Sequence, residues 1–168
     1  MTDSRTLFKN SIYNVVYKLL DALFPLISAT YTARVLLAGG VGKVSYAQNI
    51  AQYFVLIASL GIPSYGIREV ARRRQDKNQT SKVFSELFMI NLLSTATCVL
   101  VYYALVFRLP YFQTRREISL VAGLLILFNA FNVEWFYQGQ EAFRYIAIRS
   151  FVIQLLSLCA LFLLVRTE

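Results

Sequence analysis

The sequence predicts an all-α fold: a polytopic membrane helical bundle of about five transmembrane helices. Three observations carry that expectation. The 168 residues are 57% hydrophobic, with a mean hydropathy of +0.52, against roughly 45–50% apolar residues in average soluble domains. The excess is gathered into long runs near 11–37, 44–66, 84–108, 118–138 and 150–166, and about 20 helical residues cover roughly 30 Å of hydrocarbon. Each run also carries polar side chains down one face, a pattern that needs protein or water on that side. Helices this apolar leave too little polar surface for a soluble bundle of this size.

The run at 11–37 is interrupted by Asn14, Lys18, Asp21, Pro25, Ser28 and Thr32. Their spacing alternates four and three, which gathers them on roughly a quarter to a third of a helix circumference. Val16, Leu19, Leu23 and Ile27 take the opposite face. Ionisable residues inside a span are costly and mark a pathway. Lys18 and Asp21, three apart, can also pair with each other, which is a purely structural use. Arg34 falls on the other side of this helix from the polar stripe, unless Pro25 rotates the outer half.

Residues 38–43 contain Gly39, Gly40 and Gly42 and read as a tight helix–helix turn. In the run 44–66, Ser45, Gln48, Asn49, Gln52 and Ser59 share a face, and Gly61, Pro63 and Gly66 break or kink the inner end. A basic segment follows, about 67–83. Its composition suits a short amphipathic helix lying on an anionic leaflet. The run 84–108 gathers Asn91, Ser94, Thr95, Cys98 and Tyr102 on one side, and the outer loop after it contains Pro110. The run 118–138 has Asn129 and Asn132 on one side, with Glu134 and Gln138 about a turn apart. Gly139 closes it, and the run 150–166 bears Ser150, Gln154 and Ser157. Serine, threonine, asparagine and glutamine commonly hydrogen-bond across membrane helices, so the Ser and Thr positions read first as glue between helices.

Net charge is +8, with no histidine. In a soluble protein that would suggest nucleic acid; here the cations sit in loops beside the spans, so no nucleic-acid partner is expected. Arg5 and Lys9 precede the first run; Arg68, Arg72, Arg73, Arg74, Lys77 and Lys82 follow the second; Arg144 and Arg149 follow the fourth. The alternate loops hold only Lys43, then Arg108, Arg115 and Arg116. This asymmetry places the N-terminus and the basic segment in the cytoplasm, with the fifth run finishing outside. The first apolar run is too long, and too interrupted by Lys18 and Asp21, for a cleavable signal peptide. Cys98 and Cys159 lie within apolar runs and read as small apolar residues, not as a disulfide or metal site. Of the thirteen phenylalanines and eleven tyrosines, Tyr102, Tyr103, Tyr111 and Tyr137, with Trp135, fall near run ends, where an interfacial aromatic belt is expected.

The stretch "TARVLLAGGVGKVSYAQNIAQYFVLIASLGIPSYGIREVARRRQD" resembles the first helical hairpin of bacterial lipid-linked oligosaccharide flippases of the O-antigen (Wzx-type) and capsule polysaccharide kind. The stretch "FNVEWFYQGQEAFRYIAIRS" is similar to their fourth-to-fifth helix junction. The resemblance runs from Asn10 to Val165. It implies a partial multidrug/oligosaccharidyl-lipid/polysaccharide (MATE-like, MOP) exporter fold, of which this chain supplies the N-terminal portion. It also implies the export of undecaprenyl-diphosphate-linked oligosaccharide from the cytoplasmic to the outer leaflet of the bacterial inner membrane.

A sugar-diphosphate head group needs a polar cleft with some positive charge. Gln48, Asn49, Gln52 and Asn91 can supply hydrogen bonds, while Lys18, Arg34 and Arg68 can supply charge, arginine being suited to bidentate diphosphate contacts. By resemblance, Arg34 and Arg68 occupy arginine positions that recur in the family. Asp21 or Glu134 can bind a coupling ion, H+ or Na+; no other cofactor is expected. The partners implied are the lipid-linked oligosaccharide, the bilayer, and polysaccharide polymerase and chain-length machinery. The competing readings are a small-molecule exporter of the same superfamily and a non-transporting truncated fragment or assembly partner. A membrane enzyme is disfavoured, because the nine acids are scattered and no His/Cys cluster appears. Nucleotide hydrolysis has no G-x-x-x-x-G-K-[ST] to support it.

Overall fold

A computed structural model describes residues 4–113 and 116–164, with side chains described for most residues from Val15 onward. The side chains of Asn14, Asp21 and Tyr111, and the whole of Arg115, lie outside the described residues. The described elements are all helical: α1 (Ser4–Ser59), α2 (Ile62–Arg73), α3 (Lys77–Arg108), α4 (Pro110–Gln113), α5 (Arg116–Asn129), α6 (Glu134–Gly139) and α7 (Phe143–Leu164). Four segments are long and apolar enough to cross a membrane: Gly39–Arg73, Lys77–Arg108, Arg116–Gly139 and Phe143–Leu163. The count among the described residues is therefore four, not the expected five. The stretch 11–37 is helical but is not one of the four. It carries Lys18, Asp21 and Arg34, and several of its side chains lie outside those described.

The expected glycine turn at 38–43 does not form. The backbone instead leaves the helical region at Leu37 alone, with φ 57° and ψ 172°, and Gly39, Gly40 and Gly42 stand inside the helical limb that follows. Glycine is free to adopt the right-handed helical region as well as others, so a run of glycines permits a turn without forcing one. In lipid each open backbone group costs several kcal/mol, and a break at one residue opens fewer groups than a six-residue loop. A leucine at positive φ is uncommon; this one is exposed.

Packing divides the chain into two compact units, Gly42–Gln140 and Met1–Val41 with Glu141–Glu168. In the second of these, Leu23, Phe24 and Ile27 of α1 line a groove with Phe151, Leu155 and Leu158 of α7. Further along both helices, Tyr31 meets Phe162 edge to face at 4.6 Å. Residue numbers rise together on the two helices, so they run parallel.

The unit Gly42–Gln140 has two cores. In the first, Ala47, Ala51 and Ala58 of α1 pack with Cys98, Tyr102 and Val106 of α3 and with Ala122 and Ile126 of α5. Small residues at the seam let the backbones approach, which is how helices associate where lipid offers no hydrophobic drive. Gly123 leaves room for two tyrosines: a Cβ there would stand 2.7 Å from the Tyr103 hydroxyl. Tyr102 donates to the carbonyl of Ser119 at 2.8 Å, and Tyr103 to that of Leu120 at 3.2 Å. Tyr102, expected in an interfacial belt, is thus a buried strut. Its hydroxyl found a backbone acceptor on a neighbouring helix, which removes the need for water.

The second core joins α2, α3 and α6 through Ile62, Val70, Val83, Leu87 and Trp135. Here two glycines set the approach. A Cβ on Gly66 would sit 2.8 Å from Cζ3 of Trp135, and one on Gly139 would sit 2.7 Å from Cβ of Val70. Trp135 also stacks on Phe84 at 5.9 Å between ring centroids. Trp135 is therefore a core residue and not part of a belt.

Many large apolar side chains of this unit nevertheless point outward. The buried stripe of α3 runs through Asn91, Thr95, Cys98 and Tyr102, while Leu56, Leu93 and Leu100 are 69%, 66% and 72% exposed. Such a surface suits hydrocarbon, not water. The basic segment expected at about 67–83 is mostly helical. It comprises the end of α2, a tight turn at 74–76, and the first turns of α3. Asp76 caps α3, its carboxylate accepting from the amides of Asn78 (2.9 Å) and Gln79 (3.1 Å). Thr80 closes the corner by donating to the carbonyl of Arg73 at 2.7 Å. The hydrogen bonds from the Gln79 backbone and side chain hold the Asp76 carboxyl below its ordinary range, since they favour the charged acceptor.

Candidate functional site

Two interruptions of the helices in the unit Gly42–Gln140 border one cavity. The first lies between α1 and α2, where Leu60 (φ 47°) and Gly61 (φ 72°) turn the chain. Pro63 then opens α2, a position where its missing N–H is harmless. The second lies between α5 and α6. There the amides of Ala130, Phe131 and Asn132 bond back three residues, to Leu127, Phe128 and Asn129. The sequence reads 118–138 as one continuous run, and nothing in its apolar spacing marks this break. The Asn132 side chain stabilises it by accepting from the Glu134 amide at 3.3 Å. Asn91, buried midway along α3, donates its carboxamide to the carbonyl of Ala130 at 3.2 Å. A carbonyl exposed by a broken helix is thereby satisfied. Irregular backbone at membrane depth is tolerated where protein buries it or where it lines a cavity.

The cavity measures about 470 Å³, within the roughly 300–1,000 Å³ of small-molecule sites. Asn49, Gln52 and Ser59 reach it from α1, Asn91 from α3, and Asn129 and Asn132 from the α5–α6 break. Tyr53, Pro63 and Trp135 supply apolar and aromatic wall. These carboxamides arrive together because each stripe is the inward face of its helix. Asn49 and Gln52, one turn apart, lie on the same side of α1.

The structure brings together only part of the expected cleft. Asn49, Gln52 and Asn91 share the cavity. Gln48 does not: it lies in a separate groove of about 370 Å³ with Val44, Glu117, Ile118 and Leu125. One residue of helix rotates a side chain by about 100°, which is enough to move it to another face. Arg68 is exposed on α2 and lines neither. Glu134 is half-buried beside the cavity wall, its carboxylate accepting from Gln138 at 2.9 Å. Lys18 and Arg34 belong to the other unit, both exposed. Arg34 there borders a groove of about 420 Å³ with Thr30, Tyr31 and Phe162. The side chain of Asp21 lies outside the described residues.

Sequence reasoning missed three features here. Asn129 and Asn132 were legible as polar positions but not as cavity wall, since their place depends on the helix break. Trp135 looked interfacial. Glu69 drew no notice, yet it is buried at 7% exposure. Arg72 (3.3 Å) and Arg73 (2.6 Å) hold its carboxylate. The signal was present as Glu-x-x-Arg-Arg, the three- and four-residue spacing that brings helical side chains together. A buried carboxylate needs such partners.

A family model described as "Polysaccharide biosynthesis protein" matches residues 7–167. The chain is also similar to a curated protein of Escherichia coli (strain K12) named "Putative O-antigen transporter", at 19% identity over 167 residues. The alignment covers 99% of this chain and 40% of that protein, so the chain spans well under half the length of that relative. No solved structure matches it significantly. The stretches that carried the resemblance meet in space: α2 lies in one and α6 in the other, and they interlock through Gly66 and Gly139.

Proposed function

Because this chain belongs to the polysaccharide biosynthesis protein family, we propose that it forms part of a membrane transporter that flips lipid-linked oligosaccharide. The cargo is an O-antigen, capsule or exopolysaccharide repeat unit on undecaprenyl diphosphate. It moves from the cytoplasmic to the outer leaflet of the bacterial inner membrane, with the N-terminus of the chain on the cytoplasmic side. The single observation that carries this reading is the carboxamide-lined cavity set among membrane-length helices. A hydrated head group crossing hydrocarbon needs hydrogen bonds to replace its water, and amide side chains on inward faces supply them.

In this reading Asn49, Gln52 and Asn91 meet the sugar, while Lys18, Arg34 and Arg68 meet the diphosphate. Asp21 or Glu134 takes the coupling ion, H+ or Na+. Transport, not catalysis, is the activity to which the family and the relative point. The test is translocation of fluorescent lipid-linked oligosaccharide in proteoliposomes. Gln52→Leu is expected to slow it about tenfold, the cost of one or two hydrogen bonds, and Arg34→Ala to slow it at least as much with normal membrane insertion. Unchanged translocation in Arg34→Ala removes that residue from the pathway. No translocation by a transporter assembled with this chain overturns the reading.

A further inference from the structure

Among the described residues, no charged side chain lines the cavity. Asn49, Gln52, Asn91, Asn129 and Asn132 give it carboxamides, Ser59 a hydroxyl, and the rest of its wall is aromatic or aliphatic. The carboxamides of Asn49, Gln52 and Asn129 make no hydrogen bond within the described protein, so their donors and acceptors face whatever enters. Sequence reading puts cations and amides in a single cleft. Within the unit that holds the cavity, Arg68 is off the wall. The charge nearest the wall in sequence is negative. Glu134 precedes Trp135, and its backbone amide is bonded to the Asn132 side chain.

That chemistry discriminates. A diphosphate or a uronate entering the cavity loses its water and finds no cation, a cost that neutral hydrogen bonds do not recover. A neutral sugar loses less. Each sugar hydroxyl both donates and accepts, and so does each carboxamide. The ring of Tyr53, 68% exposed, offers apolar surface to the C–H face of a pyranose, and Trp135 closes the wall behind it. A few placed polar groups on an aromatic wall are the usual makeup of a small-molecule site.

We infer that this cavity is a subsite for uncharged sugar residues, and that it excludes both the diphosphate and acidic sugars. The inference rests on the transport reading for its place in function, but its binding test stands apart. Trp135 is the only tryptophan in the chain, so intrinsic emission reports directly from the cavity wall.

With the full chain in lipid nanodiscs, neutral tetrasaccharides of gluco, galacto and manno configuration are titrated against tryptophan emission. A tetrasaccharide with alternating glucuronate and inorganic diphosphate are titrated in parallel. At least one neutral sugar is expected to saturate at a concentration about tenfold below either anion. Asn49→Leu with Gln52→Leu is expected to weaken that response about tenfold with unchanged helical content, and Gln52→Lys to shift preference toward the uronate. Anions binding as tightly as the neutral sugars overturn the inference. So does a response indifferent to both sets of variants, or no response to any neutral sugar. Translocation of lipid-linked oligosaccharide without a neutral-sugar response sinks the subsite alone. A sugar response without translocation by the transporter that contains this chain sinks the transport reading and leaves the subsite standing.

Discussion

Tyr102 on α3 and Gln52 on α1 are both polar side chains at helical spacing within membrane-length helices, yet their surroundings differ. Tyr102 is 1% exposed and donates to Ser119. Its neighbours in the stripe are likewise enclosed, and Asn91 is committed to the Ala130 carbonyl. Gln52, with Asn49, is exposed on the cavity wall and has no protein partner among the described residues. The α3 stripe is enclosed except where Asn91 also edges the cavity, and the α1 stripe is left open. Composition and period are shared by the two stripes. What separates them is whether a neighbouring backbone comes within hydrogen-bonding distance, and that is decided by small residues elsewhere, such as Gly123.

The difference can be broken or sharpened by substitution. The largest effect belongs to the closed side: Trp135→Ala, which empties the α2–α6 core, is expected to cost about 3–5 kcal/mol. Gly66→Leu, which drives a side chain into the same ring, is expected to cost about 1–3 kcal/mol or more. Both are measurable by denaturant unfolding in mixed micelles. Tyr102→Phe removes one buried hydrogen bond and keeps the packing. Its expected cost is about 0.6–1.5 kcal/mol by the same assay, in line with polar contacts between membrane helices.

Smaller still is the pH response of the α3 cap. The Asp76 carboxyl is held below its ordinary value. Its stabilisation is therefore full above the unfolded-state pKa, near 3.8, and is lost as pH falls through the depressed folded value. Amide exchange in the first turn of α3, corrected for intrinsic pH dependence, should show constant protection from neutral pH down to about pH 5. Protection should be lost only below about pH 4. On the open side, Asn49→Leu and Gln52→Leu are expected to change stability by less than about 0.5 kcal/mol. A loss comparable to Tyr102→Phe would show that the two stripes do the same work.

Much of this was legible in the sequence. The apolar runs gave the helical, membrane-spanning architecture, and the period of Asn91, Thr95, Cys98 and Tyr102 gave the inward face of α3 before any neighbour was known. Gly61 and Pro63 marked the α1–α2 break, because one supplies the left-handed turn and the other opens the next helix. The rest depended on contacts. Nothing local distinguishes Leu37, where α1 breaks, from Leu36, and the neighbouring glycines point to the wrong place. The α5–α6 break has no glycine or proline within 130–133; it is held by side chains, including Asn91 from 39 residues away. Gln48 and Asn49 are adjacent letters that the helix sends to different grooves. Trp135 could not be told from an interfacial tryptophan until Gly66 was seen beneath it.

The two glycine notches also set what this chain can become. Leu93 and Leu100 look outward, and such positions can drift through many apolar residues, since a lipid tail accepts any of them. Positions 66 and 139 have no such latitude, because the gap between α2 and α6 is closed to a single carbon atom. A descendant of this sequence could lose most of its letters and keep its architecture, provided that neither of those two places ever acquired a methyl group.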